Sequence, residues 1–165
     1  MTLNIDQGLQ SKAGFRGLRV AAKIVESSLI TSFHLEEADG SALPAFRPGQ
    51  FLVFKIPSGD PKGYVLRNYS LSGSPDDHCH YRISVKREPS AGPGLPVGQS
   101  SNYLHDNVCV GDVLIADGPR GEFVLDDASD RPAVLFSGGV GLTPMVAMLH
   151  ALVNRSARRT LFLHA

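Results

Sequence analysis

The character of the sequence changes near Asp130, and this change constrains the fold more than any other feature. Before it, short apolar runs are separated by Gly- and Pro-rich turns. After it, an apolar run, a glycine turn, a longer apolar segment and a second apolar run follow in order. Short strands at close spacing predict a closed barrel or a sandwich, whereas strand, helix and strand in succession predict a parallel sheet. We therefore expect two differently built parts in one chain.

The part before Asp130 consists mainly of predicted strands. The segment "YRISVKRE" alternates polar and apolar residues, "QFLVFKIP" is almost entirely apolar, and "GDVLIADGP" is a short apolar run between glycines. A predicted helix, "SSNYLHDNV", interrupts the strands after the Gly- and Pro-rich "AGPGLPVGQ". We predict a lead-in at residues 1–14, a strand-rich domain at residues 15–129 and a second domain at residues 130–165.

The second domain is expected to contain one βαβ unit, "RPAVLFSGGVGLTPMVAMLHALVNRSARRTLFLHA". A parallel sheet normally carries helices on both faces, and a single helix cannot cover both. We therefore expect this domain to be incomplete and the chain to be part of a longer enzyme. The face predicted to be uncovered carries Val134, Leu135, Phe136, Leu161 and Leu163.

Charge and cysteine content exclude several classes of function. Lys plus Arg and Asp plus Glu each number 16, so the formal net charge is zero. This balance argues against nucleic-acid or membrane-surface partners. No segment resembles a signal peptide or a membrane span, so a cytoplasmic location is the expectation. Cys79 and Cys109 form no CxxC pair, and Cys109 is expected to be a small apolar core residue. The segment "DDHCHY" is interpreted as a solvated hairpin rather than a metal site.

The stretch "LRNYSLSG" is the first candidate for ligand binding. Arg67 can make charge-assisted hydrogen bonds to a phosphate, Tyr69 offers an aromatic face, and Ser70 can hydrogen-bond a ring nitrogen. On a strand, Arg67 and Tyr69 project to one side and Asn68 and Ser70 to the other. The alternative is an ordinary solvent-facing strand with a half-buried tyrosine, and this stretch alone does not decide between them.

Two helix starts are further candidates. In "GQSSNYLHD", Gly98 and the hydroxyls of Ser100 and Ser101 precede the predicted helix, which favours an anion site or, alternatively, a plain serine N-cap. In "SGGVGLTPM", glycines follow a predicted strand, and Pro144 fits the first helical turn. Free amides at this turn could meet a pyrophosphate. Because Pro144 replaces the last glycine of GxGxxG, a purely structural turn remains the alternative there.

Taken in order, these segments resemble the ferredoxin–NADP reductase superfamily, and more closely the reductase part of flavohaemoglobins. The similar segments are "ITSFHLEEADG", "PGQFLVFKIP", "RNYSLSG", "YRISVKRE", "SSNYLHD", "GDVLIADGPRGEF" and "SGGVGLTPM". They extend over roughly Phe15 to Ala165. The resemblance implies a mainly β fold, with a six-stranded antiparallel Greek-key FAD-binding barrel followed by a partial α/β nucleotide-binding domain of one βαβ unit.

The activity implied by the resemblance is electron transfer from NAD(P)H through FAD to an acceptor such as haem or an iron–sulfur centre. The alternative is a module that binds FAD but has no activity of its own, because its NAD(P) domain is incomplete. No bound metal is expected, because the sequence has no four-cysteine iron–sulfur pattern. The resemblance also implies no general base, because the flavin supplies the electron chemistry.

The resemblance also implies roles for individual residues. Ser70, near flavin N5, and Tyr69, packed on the isoalloxazine, would be the catalytic residues, and Arg67 would bind the FAD pyrophosphate. Phe51 stands where flavohaemoglobins tend to have tyrosine, which puts any hydrogen bond made there in doubt. The full set of expected cofactor-binding residues is Phe51, Arg67, Asn68, Tyr69 and Ser70 on strands, Val85 and Lys86 beside the ribityl and phosphate region, Gly98, Gln99, Ser100 and Ser101 at the pyrophosphate, and Gly139, Val140, Gly141, Leu142, Thr143 and Pro144 at the nicotinamide nucleotide.

Overall fold

The fold comes from a computed structural model, which describes residues 14–88, 98–155 and 158–165. The predicted lead-in, apart from Gly14, and most of the segment "AGPGLPVGQ" lie outside these residues. Six strands form the first part, as the sequence predicts. They are β1 (Arg16–Val25), β2 (Ile30–Glu37), β3 (Phe51–Pro57), β4 (Tyr64–Ser70), β5 (Tyr81–Lys86) and β6 (Val113–Arg120).

The six strands form a closed barrel and not a sandwich. Their order is β4-β3-β6-β1-β2-β5, and the neighbours that pair are antiparallel. The two outermost strands meet through a bridge between Leu71 and Ile83, next to which the Ser72 N–H donates to the Arg82 carbonyl oxygen at 2.8 Å. This bridge closes the sheet at one end of β4 and β5, which are not otherwise paired with each other in the described residues. The predicted six-stranded antiparallel barrel is confirmed.

Strand alternation builds the barrel core. On β2, Phe33 and Leu35 are fully buried while His34 between them is partly exposed. The expectation that Cys109 belongs to this core is wrong. Cys109 is exposed, because Val108 takes the buried position and the Cys109 N–H turns outward to the Asp112 carboxylate at 2.8 Å.

The predicted helix α1 (Gln99–Asn107) closes one end of the barrel. Leu104 is fully buried in the barrel core, and the Lys23 ammonium donates to the carbonyl oxygens of His105 and Val108 at 2.7 Å each. The His105 ring donates from Nε2 to the Val85 carbonyl oxygen at 2.9 Å. These contacts hold the helix beside β5 and fix where its first turn lies.

The second part is the predicted βαβ unit. It contains β7 (Ala133–Ser137), a 3-10 turn (Gly139–Gly141), α2 (Leu142–Arg155) and β8 (Thr160–His164). The two strands are parallel, in a register that pairs Ala133 with Thr160 and Ser137 with His164. Parallel pairing with an intervening helix is what the sequence pattern predicts. The boundary between the domains, placed at residues 129 and 130, stays a prediction.

The β7–β8 sheet has one covered and one exposed face. Helix α2 packs Met145, Met148 and Leu152 against Leu135, which is only 5% exposed. The expectation that Leu135 lies on the uncovered face is therefore wrong, because alternation along β7 sends it to the opposite side from its neighbours. The exposed side carries Val134, Phe136, Leu161 and Leu163, which are 44% to 67% exposed.

The barrel and the βαβ unit are in contact, and two of their contacts locate the unit. Met148 of α2 packs so closely on Gly49 that a Cβ there would lie 2.7 Å from the methionine methyl carbon. The carboxylate of Asp76, in the loop between β4 and β5, accepts hydrogen bonds from Arg155 Nε at 2.7 Å and from the Asn154 amide at 3.3 Å. The βαβ unit therefore packs against the part of the barrel that contains Gly49, just before β3, and the loop between β4 and β5.

The "DDHCHY" segment forms a turn, as predicted, in which the Asp77 carboxylate accepts from the N–H groups of Cys79 and His80. Within the described part of the chain, no three or more His, Cys, Asp and Glu side chains are grouped as metal ligands would be. Among residues 14–88, 98–155 and 158–165, no helix has the length and apolar character needed to cross a membrane.

Candidate functional site

A cavity of about 400 Å³ lies where β4, β5, the start of α1 and the turn before α2 converge. Its walls bring together most of the residues that the sequence analysis selects, from four separate segments. The lining residues are Arg67, Asn68, Tyr69, Ser70, Ser84, Val85, Lys86, Glu88, Gly98, Gln99, Ser100, Ser101, Val140 and Thr143.

Both sides of β4 reach this cavity. Arg67 and Tyr69 lie opposite the core residues Phe54 and Leu52 on β3, so they share one side of the strand, as predicted. Because β4 meets β5 through a single described bridge beyond its end, the gap between these strands opens both sides of β4 to the cavity. A strand that was paired along its full length would present only one side.

Tyr69 combines a packed ring with a place in the cavity wall. Its ring meets that of Phe54 edge to face, with 5.7 Å between the ring centroids. Burial raises the pKa of Tyr69 to about 12, and the Arg67 guanidinium opposes this shift. The phenol is therefore neutral at ordinary pH and offers an uncharged aromatic surface of fixed orientation.

Arg67 is exposed and lines the same cavity. One of its guanidinium N–H groups donates to the Leu66 carbonyl oxygen at 2.8 Å. An arginine has five N–H donors, arranged in a fork that matches phosphate oxygens. A bond to its own strand orients the guanidinium and leaves this fork suited to an anion in the cavity.

The start of α1 differs in detail from its prediction. Gly98 is the N-cap residue and makes no side-chain cap, so the plain serine N-cap is wrong. Ser100 and Ser101 lie inside the first turn, within the predicted helix "SSNYLHDNV" and not before it, and both are buried. Ser101 Oγ accepts from the Glu88 N–H and donates to the Gly98 carbonyl oxygen, both at 3.2 Å.

Ser100 is the most informative residue of the site. It is 6% exposed and lines the cavity, yet its Oγ has no hydrogen-bond partner among residues 14–88, 98–155 and 158–165. Leaving a buried hydroxyl unpaired costs about 1–3 kcal/mol. The first amides of a helix also have no acceptor within the helix. Hydroxyl and amides together are suited to a ligand that brings anionic oxygen atoms.

Gly98 is required by close packing at this helix start. A Cβ at this position would lie 2.5 Å from the Glu88 Cβ and 2.8 Å from Ser101 Oγ. Only glycine lets the end of β5 and the first turn of α1 approach this closely. The residue therefore sets the position of the turn that carries Ser100.

A second cavity of about 380 Å³ lies between the barrel and the βαβ unit. Its wall joins polar residues of the barrel to the glycine turn and α2. The lining residues are Glu26, Ile30, Ser72, Arg82, Ser84, Lys86, Gly139, Val140, Leu142, Thr143, Val146 and His164. Ser84, Lys86, Val140 and Thr143 line both cavities, so the two spaces adjoin.

The glycine turn is less open to an anion than the sequence predicts. A 3-10 turn precedes α2, with Gly139 at φ +50°, and Pro144 stands in the first turn of α2 as expected. The Gly139 N–H donates to the Ala165 carbonyl oxygen at 3.3 Å, and the Gly141 N–H to that of Gly138 at 3.0 Å. Two amides expected to be free thus have acceptors in the protein.

Several expected site residues lie elsewhere. Phe51 lines neither cavity; it stands opposite Ser70 on β3, and its ring packs where a Cβ at Gly121 would be 2.8 Å away. Gly141 and Pro144 also line neither cavity, so these three residues shape the surroundings of the cavities. Val85 does line the first cavity, although its side chain is almost fully buried in the barrel core.

The sequence analysis missed Ser84 and Glu88. Ser84 follows from the alternation of β5, since it stands next to the inward-facing Val85 and must point outward. The outward side of β5 forms the cavity wall because of how β4 and β5 meet in the barrel. No local sequence pattern shows this arrangement. Glu88 carries no signal in the sequence.

This geometry has a counterpart in known proteins. Residues 17–125 match the sequence profile of the oxidoreductase FAD-binding domain family. The chain belongs to this family. The match spans all six barrel strands except the first residue of β1, together with α1, and therefore includes β4, β5 and α1, which form most of the first cavity.

The FAD-binding chain is also similar to curated flavohemoproteins. It is 50% identical over 153 residues to that of Chromobacterium violaceum, which covers 93% of this chain and 37% of the relative. It is 49% identical over 152 residues to that of Deinococcus radiodurans, with 92% of this chain and 36% of the relative covered. The chain thus spans little more than a third of the length of these relatives.

Solved structures agree with the fold. The FAD/NAD binding domain of nitric oxide dioxygenase from Vibrio cholerae has a TM-score of 0.80 and 38% identity, over 90% of this chain and 61% of that one. Phthalate dioxygenase reductase has a TM-score of 0.76 and 31% identity, over 92% of this chain and 43% of that one. The resemblance to the ferredoxin reductase superfamily, and to flavohaemoglobin reductase parts within it, is confirmed.

Proposed function

We propose that this chain is the FAD-binding part, with the first unit of the nicotinamide-binding part, of a reductase. It would pass electrons from NAD(P)H through FAD to an acceptor such as haem or an iron–sulfur centre. The observation that carries this proposal is the buried Ser100 hydroxyl at the start of α1. It has no hydrogen-bond partner in the part of the chain that the structure describes, and it lines a cavity shared with Arg67 and Tyr69. A pyrophosphate would satisfy the hydroxyl and the guanidinium together.

The residues present fit the phosphate portion of FAD. Gly98, Gln99, Ser100 and Ser101 would hold the pyrophosphate at the helix start, where amides and the helix dipole favour negative charge. Arg67 would bind it from the opposite wall. Charge-assisted hydrogen bonds of this kind are worth about 1.5–3 kcal/mol each.

The ring portion would lie against β4 and β5. Tyr69 would pack its neutral ring on the isoalloxazine, and Ser70 would hydrogen-bond near its N5 atom; these are the proposed catalytic residues. Asn68, Val85 and Lys86 would border the remainder of the cofactor. Bound FAD supplies the hydride and single-electron chemistry, while the chain binds it, orients it and keeps water from one face.

The second cavity is the proposed site of the nicotinamide nucleotide. Four residues of the predicted nicotinamide set line it, namely Gly139, Val140, Leu142 and Thr143. Val140 and Thr143 also line the first cavity, so a flavin ring and a nicotinamide ring bound in the two cavities would be able to approach each other. With the Gly139 and Gly141 amides already bonded, Lys86 is a further candidate for contact with the phosphates.

The electron acceptor, the electron donor and the cellular location of this protein are proposed by analogy with its relatives. Relatives are named flavohemoprotein, and phthalate dioxygenase reductase is described as transferring electrons from pyridine nucleotides to [2Fe-2S]. We infer a haem or iron–sulfur acceptor, a nicotinamide nucleotide donor, and a cytoplasmic protein without nucleic-acid or membrane partners.

An anaerobic titration tests the function. The purified chain is incubated with FAD, freed of excess cofactor, and examined for a protein-bound flavin spectrum before NADH or NADPH is added. Bound flavin that bleaches on addition of nucleotide supports the reductase. Bound flavin that never bleaches supports the alternative, an FAD-binding module without activity of its own. A chain that retains no FAD would overturn both.

A further inference from the structure

Helix α2 connects the two cavities to a separate contact with the barrel. Near its start, Thr143 and Val146 line the second cavity, and Thr143 lines the first as well. At its end, Asn154 and Arg155 hydrogen-bond the carboxylate of Asp76, which belongs to the barrel. One continuous helix therefore joins the wall of the proposed nicotinamide site to an ion pair at its other end.

The middle of α2 packs on the barrel. Ala147 is fully buried and belongs to the barrel's hydrophobic core, and Met148 lies against Gly49. At the rise of an α-helix, Thr143 lies about 6 Å before Ala147 along the axis and Arg155 about 12 Å beyond it. A contact near the middle leaves the tilt of the helix to the contacts at its ends. Movement at the carboxyl end would thus displace the amino end as well.

The contact at the carboxyl end combines an ion pair with several hydrogen bonds. Arg155 donates to Asp76 Oδ1 from Nε at 2.7 Å and from Nη2, and the Asn154 amide donates to Oδ2 at 3.3 Å. The Arg155 hydrogen bonds lower the pKa of Asp76, so the carboxylate is ionised at neutral pH. Because the negative end of a helix dipole disfavours a carboxylate, Arg155 and Asn154 account for the position of Asp76 there.

The loop that carries Asp76 is attached to the wall of the second cavity. It follows β4, and Ser72 in its first part lines that cavity and is 1% exposed. The Ser72 N–H donates to the Arg82 carbonyl oxygen on β5 at 2.8 Å, and the Asp76 N–H donates to Ser74 Oγ at 3.2 Å. Asp76 therefore relates the end of α2 to a part of the barrel that is itself held in place.

The proposed reaction depends on how closely two rings meet. It moves a hydride, with its two electrons, from the nicotinamide to the flavin, so NAD(P)H becomes NAD(P)+ as FAD becomes its two-electron-reduced anion. The rate of such a transfer depends on the distance and alignment of the reacting groups. Resting on the proposed function, we propose that Asp76 is a positioning residue for this transfer. By binding Arg155 and Asn154 it sets the tilt of α2, and with it the place of Thr143 between the two cavities.

The test removes each partner of the contact in turn and measures structure and rate separately. Asp76→Ala, Arg155→Ala and the double variant are loaded with FAD, and hydrogen–deuterium exchange of the α1 and α2 amides is followed by mass spectrometry. Flavin bleaching is then measured without oxygen at saturating NADH or NADPH, whichever bleaches the parent. We expect faster exchange in α2 only, and bleaching slowed about tenfold, since small misplacements of reacting groups have effects of this size or larger.

Two further results are expected of these variants. FAD affinity should equal that of the parent, because neither Asp76 nor Arg155 lines the first cavity. The double variant should be slowed no more than either single variant, because both single changes break the same contact. Slowing that multiplies in the double variant would show that the two residues act independently, and would overturn the proposal.

Glu36→Ala is the matched control. The Glu36 carboxylate is 44% exposed and pairs with Arg19 at 3.9 Å, and the Asp76 carboxylate is 40% exposed in its own pair. Glu36 lines neither of the first two cavities, and its replacement removes the same charge. Parent behaviour is expected in the exchange, bleaching and affinity measurements.

The outcomes separate the positioning role from the proposed function. Parent bleaching rates in Asp76→Ala would overturn the positioning role, even with faster exchange in α2, and would leave the flavin and nucleotide assignments standing. Equal slowing in Glu36→Ala would also overturn it, because the effect would then follow the loss of any surface carboxylate. A parent chain that retains no FAD, or whose bound flavin never bleaches, would instead remove the proposed function and the positioning role with it.

Discussion

The two helix starts look alike in the sequence and differ in the structure. Each combines glycine with the first turn of a helix, and each is predicted to receive a pyrophosphate. At α1, the buried Ser100 hydroxyl has no partner in the described residues. At the turn before α2, the amides of Gly139 and Gly141 already donate to the carbonyl oxygens of Ala165 and Gly138. The start of α1 thus has a buried hydroxyl that the proposed ligand would satisfy, whereas two amides of the other turn already have acceptors in the protein.

The glycines at the two helix starts also differ in how closely other residues pack against them. A Cβ at Gly98 would collide with Glu88 and Ser101. A Cβ at Gly139 or Gly141 would have no atom of another described residue within 4 Å, apart from its own chain neighbours. Glycine at α1 is needed for close packing. At the other turn only Gly139, at φ +50°, has a conformational reason to be glycine. Glycine is therefore needed for close packing at Gly98 and for a positive φ at Gly139.

Replacing a glycine by alanine at each helix start should give the largest difference in stability and FAD affinity between the two sites. Gly98→Ala is expected to displace the start of α1, cost about 1–3 kcal/mol of stability and weaken FAD binding by about a hundredfold or more. Gly141→Ala should leave both nearly unchanged, because it meets open space at an ordinary φ. Thermal unfolding and FAD fluorescence titration measure the two effects. Equal FAD affinities in the two variants would remove the distinction between the helix starts.

Arg67→Ala is the next largest expected effect. Loss of a charge-assisted phosphate contact of about 1.5–3 kcal/mol should weaken FAD binding about 10- to 100-fold. Arg47→Ala is the control, since Arg47 is exposed, lines neither cavity and changes the net charge equally. If both variants bind FAD equally well, Arg67 does not contact the pyrophosphate.

Ser100→Ala should separate binding from stability. Removing a buried hydroxyl that has no partner among the described residues is expected to stabilise the FAD-free protein by about 1 kcal/mol, while FAD affinity falls about tenfold. Ser101→Ala is the matched variant. Its hydroxyl makes two hydrogen bonds, so its loss should destabilise the FAD-free protein. Chemical denaturation with and without FAD distinguishes these cases; a destabilised Ser100→Ala protein would contradict the interpretation of Ser100.

The sequence predicted the strands and the βαβ unit, because both depend on the local spacing of apolar and polar residues. The strands follow from alternation, and the βαβ unit follows from its succession of apolar segments and glycines. Leu135 and Cys109 differ from their predicted positions because apolar character alone does not determine which side of the chain a residue faces. A single shift in alternation reverses such an assignment.

The candidate site was less predictable because it depends on tertiary contacts. Ser84 meets Ser32 and Ser72 only because of the register between β2 and β5 and the bridge that follows β4. The bonded state of the Gly139 amide depends on Ala165, which lies far away in the sequence. Sequence pattern identified residues with suitable chemistry, and strand pairing decided which of them meet.

The smallest effect is expected at Gly139. Gly139→Ala places a side chain at φ +50°, which costs about 1–2 kcal/mol of stability, but the surrounding space is open and the first cavity is untouched. FAD affinity should therefore equal that of the parent, with Gly141→Ala as the reference for an alanine at an ordinary φ. Thermal unfolding and FAD titration on both variants measure this. A tenfold loss of FAD affinity in Gly139→Ala would mean that the turn before α2 takes part in flavin binding, and the contrast between the two helix starts would then be one of degree.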